Sequence, residues 1–163
     1  MRNFAEEANT FVLVLPVDLG GQANPSIGRV NMAQYDHAEI CIIKAAGTAA
    51  EPVVVTVIQS NAASGGSSKA LTLRNGIYVK THANIEDATA FAKEAEDSAG
   101  VYTATSAIAK EGIIKIPINS EDLDNENGYH WFSASIADTG VANLGVMYVD
   151  VFGARYTPPP DAF

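Results

Sequence analysis

Two short runs constrain this chain more than anything else in it. Residues 39–44 (EICIIK) and 52–59 (PVVVTVIQ) are dense in β-branched side chains and are bounded by Gly, Ala, Ser and Pro. Branching at Cβ favours extended backbone, and runs this short suit the middle of a sheet better than a free helix. A third strand is expected over 69–74, after a Gly/Ser loop. Asn75-Gly76 then separates 71–74 from 77–80, and Asn-Gly between β-prone runs predicts a two-residue type I′ hairpin.

The rest of the chain repeats the theme. Strands are expected at 11–15, 100–107, 112–118, 129–136 and 143–152, with a brief one near 27–32. Pro117 argues that its strand lies at an edge or carries a bulge. Alternation places Tyr129, Trp131, Ser133 and Ser135 on one face and His130, Phe132, Ala134 and Ile136 on the other. Rings on both faces predict cover on both sides, with Tyr129, Trp131 and Tyr148 filling core. Only 84–99, rich in Ala, Glu and Lys, departs from this. It predicts a short helix or exposed rim loop whose acids form a solvated face.

Eight to ten short strands with one helical insert predict an all-β fold. The expected form is an antiparallel, jelly-roll-like β-sandwich with extended terminal arms. Crossover helices for a parallel sheet are missing. At 163 residues the chain is one domain in three stretches. These are an N-terminal arm and first strand region (1–34), a sandwich core (35–156) and a Pro-rich tail (157–163). The loop following 11–15, rich in Gly, Asn and Pro, leaves two readings open: an arm that orders on a partner, or an edge strand with a long loop.

Ten Lys and Arg against nineteen Asp and Glu give a net charge of −9. Such a field repels phosphate, so neither nucleic acid nor a membrane is an expected partner. The apolar run before Pro16 is too short to span a bilayer and its flank is acidic, which predicts a protein made in a cytoplasm. Cys41, the lone cysteine, reads as a small buried hydrophobe. His37, His82 and His130 fall on separate elements, and no nucleophile elbow or phosphate loop accompanies them. Asp122, Asp124 and Glu126 alternate as calcium ligands do, but the loop positions that need Gly and Glu hold Asn127 and Ser133. No catalytic residue, metal or cofactor is expected.

Several segments together carry a resemblance. They are Pro16-Val17-Asp18, residues 30–35 (VNMAQY), 39–43 (EICII), 54–59 (VVTVIQ), 67–71 (SSKAL) and 118–123 (INSEDL) ahead of an aromatic strand. Over about residues 11–156 the chain resembles virion structural proteins of tailed bacteriophages, most of all the capsid decoration, or cement, proteins built on a β-sandwich. The resemblance implies a non-enzymatic role on the outer surface of the capsid. The implied partners are the major capsid protein and further copies of the chain, as a homotrimer. The contacts expected on this reading are apolar residues near the termini: Phe4, Phe11, Val12, Leu13, Leu15, Pro158, Pro159 and Phe163. A tail or head-to-tail connector component stays open, as does a carbohydrate-binding module using Tyr129, Trp131 and Tyr148.

Overall fold

The structure is a computed structural model that describes residues 8–20, 28–47, 52–140 and 143–154. Its strands are β1 (Ala8–Asp18), β2 (Val30–Asn31), β3 (Tyr35–Lys44), β4 (Val54–Ser60), β5 (Ser68–Ala70), β6 (Ile77–His82), β7 (Ala92–Glu94), β8 (Val101–Thr103), β9 (Glu111–Asn119), β10 (Trp131–Ile136) and β11 (Leu144–Ala154). They form two sheets. One runs β1-β11-β3-β9-β6-β7, the other β2-β10-β4-β5, with β8 also pairing β4. Every pairing is antiparallel. The all-β antiparallel sandwich expected from the sequence is therefore present.

Period-two alternation explains how the sheets meet. Ala38, Ile40 and Ile42 of β3, Ile114, Ile116 and Ile118 of β9, and Met147, Val149 and Val151 of β11 point inward from one sheet. Val55 and Val57 of β4 with Phe132, Ala134 and Ile136 of β10 point inward from the other, and all belong to one core cluster. Fully burying a residue of this type contributes roughly 1.5–3 kcal/mol relative to leaving it exposed. Both inward rows end in a polar residue. Lys44 continues the β3 row and donates from Nζ to the carbonyls of Ala107, at 2.8 Å, and Lys110. Gln59 continues the β4 row, donating to the Ala70 carbonyl at 3.2 Å and accepting from the Asp124 N–H at 2.8 Å. Each closes an end of the core while satisfying loop backbone.

Several expectations are overturned. The Asn-Gly hairpin does not form: β6 pairs with β7 and β9, and β5 stops at Ala70. Leu71 and Leu73 are buried as the chain crosses between the sheets. The turn closes from the Gly76 N–H to the Leu73 carbonyl, only Gly76 has positive φ, and the Asn75 amide donates to Asp122 at 2.8 Å. Burial of two leucines and that side-chain bond outweigh the local turn preference. The helical insert is absent as well. Residues 84–99 hold one 3-10 turn, Ile85–Asp87, and the short strand β7. The segment buries too little apolar surface to stabilise a helix. Pro117 lies in β9 between two neighbours, opposite Glu39 of β3 but beyond the last β6 pairing at Lys115, so the edge it requires is local.

Candidate interaction face

The acids of the segment following β6 divide: Glu86 and Asp87 are exposed, as a solvated face requires, whereas Glu94, Glu96 and Asp97 bind their own chain. Glu96 accepts the N–H groups of Leu73 and Gly100, both at 2.9 Å, and Asp97 accepts that of Thr103 at 2.6 Å. Glu94 accepts from the buried Tyr102 hydroxyl and from Ser106. That bond and burial both push the Tyr102 phenol up, burial the more strongly. Of the alternating carboxylates, Asp122 accepts the Asn119 N–H as well as the Asn75 amide. Asp124 takes the Lys69 ammonium, which with Asn127 holds its carboxyl below the usual range. Both bind their own chain. Among the described residues, no group of three or more His, Cys, Asp and Glu is placed to hold a metal ion.

The histidines stay apart: His37 bonds Asn119, His82 the Asn84 backbone, and His130 Asn125. The rings read as core also behave differently. Tyr129, Trp131 and Tyr148 are half-buried and lie outside the core cluster, where Phe132 and Tyr102 fill the space. Trp131 belongs to β10 and Tyr148 to β11, on different sheets, so the three do not form one platform.

The outer face of the six-stranded sheet is the most distinctive surface. Register sets one row across it as Val146, Ile43, Ile113 and Lys80, and the next as Tyr148, Cys41, Lys115, Tyr78 and Lys93. Cys41 is buried, as the sequence suggests, yet sits on this face outside the core. Burial pushes its thiol up, while a hydrogen bond to Cys41 is the main influence raising the Tyr148 phenol. Near β1 the face is aliphatic: Leu15 is 71% exposed, Leu144 63% and Ile43 41%. Toward β6 and β7 it becomes aromatic and cationic. Lys93 lies 5.8 Å from the Tyr78 ring centroid and Lys115 5.9 Å from that of Phe91. Exposed apolar residues gathered on one face mark contact surfaces more often than scattered ones do.

Of the sequence-derived contact residues, Phe11 and Leu15 are exposed on β1, an edge strand with bulges between Val12 and Val14 and between Val14 and Val17. Phe4, Pro158, Pro159 and Phe163 lie outside the described residues, as do the side chains of Val12 and Leu13. Sequence reading missed Ile43 and Leu144. Both stand out of phase with the inward residues of their strands, the one signal that marks them. No protein-family model, curated protein or solved structure matches the chain.

Proposed function

We propose that this chain is a structural binding protein, a jelly-roll capsid decoration protein that stabilises a phage head by bridging major capsid protein subunits. The exposed aliphatic corner of Leu15, Leu144 and Ile43 carries the reading. Its three exposed side chains are aliphatic, and the carboxylate beside them, Asp18 opposite Leu144, already accepts the N–H groups of Gly20 and Asn143, which lowers the cost of covering it. The surface is outward-facing, with Leu144 and Ile43 on paired strands and Leu15 in the irregular stretch of β1 between Val14 and Val17, and it gathers residues that are distant in sequence.

Strand order supports the jelly-roll form. With β6, β7 and β8 set aside as an insertion, eight strands remain. Numbered along the chain, they lie first-eighth-third-sixth in one sheet and second-seventh-fourth-fifth in the other. The four nested antiparallel pairs are those of two Greek keys wrapped together. Such a fold hosts many activities, so the function rests on the face and on the resemblance.

The test is binding to capsid shells lacking the protein, measured by co-sedimentation. The wild type should bind saturably, and Leu15→Glu with Leu144→Glu should abolish binding while the near-ultraviolet circular dichroism stays unchanged. Point variants are needed because β1 pairs with β11 along its length and supplies Val14 to the core. Deleting residues 1–30 would damage the sandwich itself. Undiminished binding by the double variant would remove the aliphatic corner from the proposal. Antibody labelling confined to tails would favour the connector reading.

A further inference from the structure

We propose that Asn127 is a site of hydrolytic deamidation, a one-way modification that sets a new carboxylate against Asp124 and opens the turn between β9 and β10. The inference is independent of the role proposed above.

The chain contains two Asn-Gly pairs, Asn75-Gly76 and Asn127-Gly128. Glycine has no side chain, so its backbone nitrogen can approach the preceding carboxamide closely. That nitrogen gives up its proton to hydroxide and attacks Cγ. A Cγ–N bond forms, the Cγ–Nδ2 bond breaks and ammonia leaves, giving a cyclic imide. Water then opens the ring at either carbonyl, which yields aspartate or isoaspartate. Water and base are the only co-reactants.

The fold closes one pair and leaves the other open. Gly76 is buried, and the Lys93 side chain and the Glu94 carbonyl fill the space that a Cβ there would take. To cyclise, Asn75 would have to release Asp122 and pull on Leu73 and Ile77, which are both buried. Asn127 is exposed, and a Cβ added at Gly128 would meet nothing within 4 Å. A single 3-10 turn, Asn125–Asn127, holds it, with the Gly128 N–H bonded to the Asn125 carbonyl at 3.1 Å. Exposed turns this short open locally at little free-energy cost.

The consequence is equally local. The Asn127 amide donates to both carboxylate oxygens of Asp124, at 2.9 Å each, and Lys69 pairs with the same group. Deamidation removes that donor and puts a negative charge in its place, so one ammonium faces two carboxylates. Isoaspartate also lengthens the backbone by a methylene. The N–H groups of Gly128 and Tyr129 then shift away from the Asn125 and Asp124 carbonyls that they bond. Asp124 lines a polar cleft of about 660 Å³ with Lys69, Arg74, Glu121 and Glu126, so modified copies carry a more acidic cleft.

Peptide mapping by mass spectrometry, after incubation of the purified chain at mildly alkaline pH, tests the site. Aspartate and isoaspartate should accumulate at position 127 at least about tenfold faster than at 75, and the two rates should converge in urea. Equal rates in the folded chain, or no product at 127 under conditions where the urea-unfolded chain reacts, would overturn the assignment. Asn127→Asp tests the consequence against Asn127→Ala, which removes the donor without adding charge. Hydrogen exchange at the Gly128 and Tyr129 amides should be at least about threefold faster in the Asp variant. Exchange no faster than in the Ala variant would overturn the opening of the turn by charge.

Discussion

The space between the sheets and the connections that join the strands are held by different physics. Inward-facing Ile40, Ile114, Ile116, Phe132 and Val149 have essentially no exposed surface, and they stabilise the fold by leaving water. The connections at residues 71–76, 95–100 and 119–128 contribute fewer large apolar residues, chiefly Leu71, Leu73 and Leu123. Carboxylates organise them instead, each accepting N–H groups that no strand partner reaches. The first mechanism tolerates any well-packed apolar residue of the right volume. The second depends on one oxygen reaching one N–H, so it is specific in position but modest in energy.

If that contrast is right, the largest loss comes from the core. Phe132→Ala should cost about 3–5 kcal/mol in urea unfolding, since a large void would open between the sheets. Gly100→Ala sharpens the contrast, because it lies in a connection yet abuts the core. Its φ is +73° and an added Cβ would come within 2.4 Å of the Val57 carbonyl oxygen. The chain passes against β4 here with no flexible side chain to yield. A cost of about 3 kcal/mol is expected, near the core value although no apolar group is lost. Glu96→Ala should cost less, about 1–3 kcal/mol, by leaving the Leu73 and Gly100 N–H groups without their acceptor. Should Glu96→Ala match Phe132→Ala, the division between the two mechanisms fails.

Acid should act on the connections first. Asp18 is held below the usual carboxylate range chiefly by the Asn143 N–H and then that of Gly20, and Asp124 chiefly by Lys69 and then Asn127. Both folded-state values are depressed, so the stability they contribute is fully present above the unfolded value of 3.8 and is lost as pH falls through the lower folded values. Hydrogen exchange measured from about pH 4 downward should show the Asp18–Gly20 corner and the Asp124–Asn127 turn opening before the amides of β3 and β9. Simultaneous opening everywhere would mean that these carboxylates are coupled to the core.

The same contrast explains what the sequence made legible. Short β-branched runs located β3, β4 and β9, and aromatic-bearing apolar runs located β10 and β11, because burial on a sheet face demands such residues whatever the partner strand. That pattern cannot say which connections fold back and which cross over. Asn75-Gly76 carries the local chemistry of a hairpin, yet Leu71 and Leu73 draw the chain across the sandwich and Asp122, forty-seven positions away, takes the Asn75 amide. Glu94, Glu96 and Asp97 look in sequence like any solvated charge run, since their acceptor role depends on Tyr102, Gly100 and Thr103 arriving beside them. The interaction face divides in the same way. Leu15 lies in an apolar run that the sequence exposes to view, whereas Ile43 and Leu144 resemble core until register turns them outward.

That last distinction gives the smallest expected effect and the most direct check on the face. Leu144 and Ile42 are comparable aliphatic side chains on strands of one sheet, one 63% exposed and the other with no exposed surface. Area removed from water, rather than hydrophobicity of the residue, sets the contribution to folding. Leu144→Ser should therefore change stability by no more than about 0.5 kcal/mol, and Leu15→Ser likewise, whereas Ile42→Ala should cost about 2–5 kcal/mol. A near-zero change at Leu144 means that its apolar surface is not maintained by the fold, which is the condition a docking residue must meet. A loss comparable to that of Ile42 would show the corner to be covered in the free protein and would remove it as a contact surface.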